Sequence, residues 1–92
     1  MKEGDILKQV RDYLRWKGWL VYRIQQGLGC HRGMSDLICV RAGRVIFLEI
    51  KAPLGKLSDH QRKFQGEIEE AGCDYLWVSS LDQIRGFFGD KA

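Results

Sequence analysis

The sequence predicts a small α/β domain with elements in the order α-β-β-β-α-β-α, built as a mixed sheet flanked by helices. Three observations lead there. An apolar stripe at helical spacing opens the chain. Three β-rich runs then follow one another with no helix between them. A well-marked second helix separates the third run from a fourth. The first three strands suit an antiparallel meander. Strands three and four, joined through a helix, should form a parallel, right-handed crossover if they share a sheet.

The first helix is expected from about Lys2 to Lys17, where Ile6, Leu7, Val10, Tyr13, Leu14 and Lys17 form the stripe and Gly18 terminates it. Followed backward, the stripe reaches Glu3, which places that acid on the inward side of the first turn. An acid there also complements the helix dipole whatever else it does. Trp19 to Gln26 is rich in aromatic and β-branched residues and reads as the first strand. Gly27 to Gly33 is a loop with three glycines that suits flexibility and close backbone approach. It lacks the G-K-[ST] ending of a phosphate loop. Its adjacent Cys30-His31 has no second pair at ligand spacing, which argues against zinc.

The stretch from Met34 to Lys51 holds two apolar strands joined at Ala42-Gly43, and Pro53 ends the second by its inability to donate to a ladder. Ser58-Asp59-His60-Gln61 opens the second helix with an S-x-x-Q capping box. Its inward stripe is Gln61, Phe64, Ile68 and Ala71, and Gly72 closes it. Asp74 to Ser79 is the fourth strand, and Leu81 to Phe88 a short last helix with Ser80 or Asp82 near its start.

The charges within the hairpin are out of place. Alternation puts Asp36, Ile38 and Val40 on one face of its first strand, and Val45, Phe47, Glu49 and Lys51 on one face of its second. An even-length turn centred on Ala42-Gly43 sets Asp36 opposite Glu49. Cross-strand Cβ atoms lie about 4.5–5.5 Å apart, so two carboxylates there repel. A divalent cation offsets the repulsion most simply, and Mg²⁺ is suited to one or two carboxylates plus waters. Metal-assisted phosphodiester hydrolysis is the chemistry that uses such a group, with Lys51 beside the water or the phosphate. Taken singly, Asp36 is an ordinary strand-entry residue, Glu49 and Lys51 a solvated strand end, and Gln61 a helix cap. The shared register makes them a constellation.

Bulk properties narrow the class. Ninety-two residues make one domain spanning 1–92, and 45% hydrophobic with 29% charged residues is a globular composition. No run is long and apolar enough for a membrane span, and the start of the chain does not read as a signal peptide. Cys30, Cys39 and Cys73 are odd in number and widely spaced, which points to free thiols in a reducing cytoplasm. A net charge of +3 permits a nucleic-acid partner without requiring one.

Asp36, then twelve residues, then Glu49-Ile50-Lys51, on the second and third strands of this element order, resembles the PD-(D/E)-x-K nuclease superfamily. The nearer resemblance is to its VRR-NUC (virus-type replication-repair nuclease) family, whose small stand-alone members are typically phage-encoded. It rests on G-M-S-D at Gly33 to Asp36, E-I-K-A-P at Glu49 to Pro53, and L-S-D-H-Q at Leu57 to Gln61. The resemblance implies a restriction-endonuclease-like αβββαβ core. It implies a metal held by Asp36, Glu49 and the Ile50 carbonyl, with Lys51 as the catalytic lysine and Gln61 ordering the site. Glu3 would support the metal from the first helix. Ser35 stands where the superfamily motif often has proline, which costs no ligand. The resemblance further implies Mg²⁺- or Mn²⁺-dependent DNA cleavage by a homodimer selective for branched DNA such as Holliday junctions. No membrane and no small-molecule cofactor are expected, and a phage-encoded protein would work in the host cytoplasm.

Arg32, Arg44, Lys56, Arg62 and Lys63 are expected on loops or helix starts near the proposed site, as phosphate contacts that position DNA without reading its sequence. Two competing readings use the same fold: a module that holds branched DNA or docks to a replication protein without cutting, and an RNA-directed nuclease.

Overall fold

The structure is a computed structural model describing residues 2–25, 27 and 29–88. The elements follow the predicted order: α1 (Glu3–Trp16), β1 (Leu20–Arg23), β2 (Leu37–Arg41), β3 (Arg44–Ile50), α2 (Asp59–Glu70), β4 (Asp74–Val78) and α3 (Leu81–Phe87). The first strand is shorter than expected and starts at Leu20. Trp19 instead turns into the core, its ring 5.3 Å from that of Phe88. Gln26, the expected end of that strand, lies outside the described residues.

Two helices end in the same local device. After α1, Gly18 at φ +94° donates to the Arg15 carbonyl and Trp19 donates to Leu14. After α2, Gly72 at φ +89° donates to Glu69 and Cys73 to Ile68. Each is a Schellman ending that satisfies two otherwise orphaned carbonyls, and the positive φ favours glycine. At the start of α2 the capping box is complete in both directions. Gln61 N–H donates to Ser58 Oγ at 3.2 Å, and Ser58 N–H donates to Gln61 Oε1 at 2.8 Å. Ser80 caps α3 by accepting from Gln83 N–H.

The sheet order is β1-β2-β3-β4, antiparallel for the first three strands and parallel between β3 and β4. Helices α1 and α3 cover one face over Ile6, Val10, Leu14, Leu37, Leu48 and Ile50, all nearly inaccessible. On the other face α2 packs Phe64 edge-on against Phe47 and Tyr75, ring centroids 5.6 and 6.0 Å away. Ala71, expected on the inward stripe of α2, is exposed; it is the C-cap, one residue past the end of the helix. Among the described residues no helix is long and apolar enough to cross a membrane.

The hairpin turn determines everything placed on β2 and β3. Ala42 and Gly43 both have positive φ, 51° and 78°, which makes a two-residue type I′ turn whose twist suits adjoining antiparallel strands. The ladder pairs Arg41 with Arg44 and runs to Leu37 opposite Leu48, so the next pair outward is Asp36 with Glu49. The even-length turn predicted from the sequence is the one present.

Candidate active site

The site lies at the open end of the hairpin. One row crosses the whole sheet there. Ile24 N–H donates to the Asp36 carbonyl at 2.8 Å, Asp36 and Glu49 each follow directly on the last β2–β3 pair, Leu37 with Leu48, and Glu49 is in parallel register with Trp77. These side chains share the α2 face of the sheet, because paired residues on neighbouring strands point the same way. Lys51 continues that face two residues on, its N–H bonded to the Val78 carbonyl.

Each acid is held by one oxygen. Asp36 Oδ2 accepts from the Ile50 N–H at 2.8 Å, taking the next β3 donor where the backbone ladder stops. Glu49 Oε2 accepts from Gln61 Nε2 at 2.8 Å and lies 3.4 Å from Lys51 Nζ. The other Glu49 oxygen, Oε1, is buried with no hydrogen-bond partner. Glu49 is only 3% exposed. Burial, aided by the nearby Asp36 charge and opposed by Lys51, pushes its pKa up to about 7. A buried anionic oxygen without a donor costs on the order of 1–3 kcal/mol or more, so it persists where something else is meant to meet it. The Ile50 carbonyl leaves the strand on the same side as the Ile50 N–H, towards Asp36. Two carboxylates and a carbonyl are hard oxygen donors of the kind that Mg²⁺ or Mn²⁺ takes while keeping waters. The residues present therefore fit such an ion.

Gln61 joins two elements through one side chain. Its amide oxygen closes the capping box while its amide nitrogen reaches Glu49, so the start of α2 and the end of β3 are locked together. The loop before Asp36 is docked to the same turn of α2. Gly33 has φ +80°, and a Cβ there would collide with the His60 carbonyl and lie 2.9 Å from Gln61 N. This close approach to α2 explains the glycine of G-M-S-D. Ser35, in the position often taken by proline, is fully buried, and its hydroxyl donates to the Leu37 carbonyl at 3.0 Å.

Two expected site residues are placed differently. Glu3 is exposed at the start of α1, not inward. Its charge still reaches Glu49 and adds slightly to the rise in pKa. Among the described residues no three of His, Cys, Asp and Glu gather into a metal-binding group. Among the described residues Asp36 and Glu49 are thus a pair of acids without a third in their group. Arg44 stands at the far end of β3, five residues and roughly 17 Å of strand from Glu49. Its guanidinium is committed to Asp74 at 2.9 Å and lies over the Phe87 ring. It stands at the turn end of the hairpin, away from the acids, and is held there by Asp74. Arg32, Lys56, Arg62 and Lys63 are all exposed at the site's own end.

Three neighbours were not foreseen. His60 Nε2 lies 3.4 Å from Arg32 Nη1 in a cleft of about 340 Å³ that Gln61 and Ser58 also line. The Tyr75 hydroxyl is buried without a partner, and burial with the Glu49 and Asp36 charges raises its pKa. Trp77 adjoins Glu49 only through the parallel register of β3 and β4, which local sequence does not reveal.

Comparison with known proteins agrees with this fold. A solved structure described as a VRR_NUC domain superposes with a TM-score of 0.83 at 22% identity, covering 98% of this chain and 97% of the other. No match is found among curated proteins. The sequence profile of the VRR-NUC domain matches residues 5–80, a span that holds all three motifs, and the chain belongs to that nuclease family.

Proposed function

We propose that this protein is a Mg²⁺- or Mn²⁺-dependent DNA endonuclease that hydrolyses phosphodiester bonds in branched DNA, working as a homodimer. The observation that carries the reading is Glu49: one oxygen held by Gln61 and Lys51, the other buried beside Asp36 with no donor. Asp36, Glu49 and the Ile50 carbonyl would hold the ion, and when bound it supplies charge for the phosphate and acidity for a water.

The chain's own residues do the rest. Gln61 fixes the rotamer of Glu49, so that Oε1 is presented and Oε2 is not. Asp36 is immobilised through the Ile50 N–H. Lys51, 18% exposed in its side chain, keeps its ammonium at the mouth of the site. There it holds the attacking water or neutralises a non-bridging phosphate oxygen in the transition state. Arg32, Lys56, Arg62 and Lys63 bind flanking phosphates without sequence preference, which suits selection by DNA shape. A two-fold dimer would present two such sites to the two strands of a junction. Three free cysteines suit the reducing cytoplasm in which such an enzyme, phage-encoded or not, would act.

The test is cleavage of a labelled four-way junction with Mn²⁺ or Mg²⁺, run beside Asp36→Ala and Lys51→Ala. Metal-dependent product that both substitutions reduce by roughly 10²–10⁴-fold is expected. Binding of the junction without any cutting would leave a binding module, and equal cutting of a branched RNA would move the substrate class. Gel filtration over a concentration series checks the dimer.

A further inference from the structure

The row Ile24, Asp36, Glu49, Trp77 ends on an aromatic residue that the proposed chemistry does not use. Trp77 sits on the edge strand β4, on the same face as both acids, and is 42% exposed. The next aromatic inward on that face, Tyr75, is buried under Phe64. Helix α2 covers the sheet as far as Tyr75 and leaves Trp77 open. Beyond it, a cleft of about 410 Å³ runs along the β4 edge past Gln83 to Phe87. Neighbouring strands lie about 4.8 Å apart, so the indole begins one strand spacing from the carboxylate of Glu49.

A phosphodiester held at Asp36 and Glu49 carries a nucleobase within one nucleotide of that indole. We propose that Trp77 is the stacking platform for the unpaired base next to the scissile phosphate. Stacking on an aromatic face is open to every base, so it adds affinity without sequence preference. A base inside a duplex has both faces covered. At a branch point, flap or bulge one face is free. Trp77 thereby selects substrates in which the nucleotide at the cut has left the stack, while the basic residues on the loops bind paired and unpaired backbones alike. The inference rests on the nuclease reading for the position of the phosphate.

The experiment uses the full chain with Ca²⁺ in place of Mg²⁺ to keep the DNA intact. The probe is 2-aminopurine, placed either in a single-nucleotide bulge or in a fully paired duplex. The expected result is quenching of the unpaired probe by the unaltered protein and loss of quenching in Trp77→Ala. That variant should bind the bulge roughly ten-fold more weakly, the duplex within about two-fold, with Trp77→Phe keeping most of the affinity. Equal weakening on both DNAs, or none on either, overturns the proposal. So does a Trp77→Ala protein that elutes as a smaller species, because the indole would then pack on a second copy of the chain. Failure of the nuclease reading looks different: quenching that depends on Trp77 in a protein that never cuts with Mn²⁺. A protein that cuts but does not quench sinks the stacking alone.

Discussion

The two ends of the β2–β3 hairpin carry charges that the structure treats in opposite ways. At the turn end, Arg44 meets Asp74 at 2.9 Å with both side chains about half exposed. Opposite charges in water, screened by solvent, contribute about 0–1 kcal/mol and ask for nothing further. At the open end a buried Glu49 neighbours the half-buried Asp36, and only one oxygen of Glu49 is given donors. The first arrangement is complete as it stands. The second leaves a buried carboxylate oxygen without a donor, and that difference sets the candidate site apart from ordinary surface electrostatics.

Removing one cation from each end should expose the contrast most strongly. Lys51→Ala is expected to lower cleavage by roughly 10²–10⁴-fold with little change in thermal stability. Arg44→Ala should leave cleavage unchanged and cost at most about 1 kcal/mol. Comparable losses of activity from both would erase the distinction.

The next effect concerns pH. The folded pKa of Glu49, about 7, lies above the ordinary 4.5, so the folded protein binds more protons between those values. Stability of the metal-free protein should therefore fall as pH rises from about 4.5 to 7 and level off above, by on the order of 3 kcal/mol in all. Glu49→Gln should flatten that part of the profile, measured by urea unfolding in EDTA. Metal affinity of the unaltered protein should rise over the same window, because binding must displace the Glu49 proton. A pH-independent stability would show that the acid is not held as described.

Gly33→Ala tests the docking of the loop on α2. Its Cβ must displace the His60 carbonyl and adopt positive φ, a cost of roughly 2–3 kcal/mol. Because the same turn holds Gln61, activity should fall together with stability. The smallest effect belongs to the turn itself. Ala42 occupies φ 51° without a glycine's freedom, so Ala42→Gly should raise stability by about 0.5–1 kcal/mol and leave cleavage alone.

Asp36 opposite Glu49 was legible in the sequence because strand alternation and a two-residue turn are both local, and together they determine a register. The caps of Ser58 and Ser80 and the glycine endings were legible for the same reason. Glu3 and Arg44 were not. Periodicity puts Glu3 on the inner stripe, but burial on α1 begins only at Ile6 and leaves Glu3 exposed. Arg44 is near Glu49 along the chain, yet an extended strand carries it to the opposite end.

By itself the sequence determined the elements, the hairpin register and the acid pair with its lysine, since each follows from residues close along the chain. Tertiary structure alone decided which oxygen of Glu49 takes the Gln61 amide and which is left without a donor, that Gly33 must be glycine, and that Trp77 stands beside the acids. Each depends on how α2 and β4 dock on the hairpin. That docking joins residues far apart in the chain through packing of Phe47, Phe64 and Tyr75, and no local pattern encodes its register.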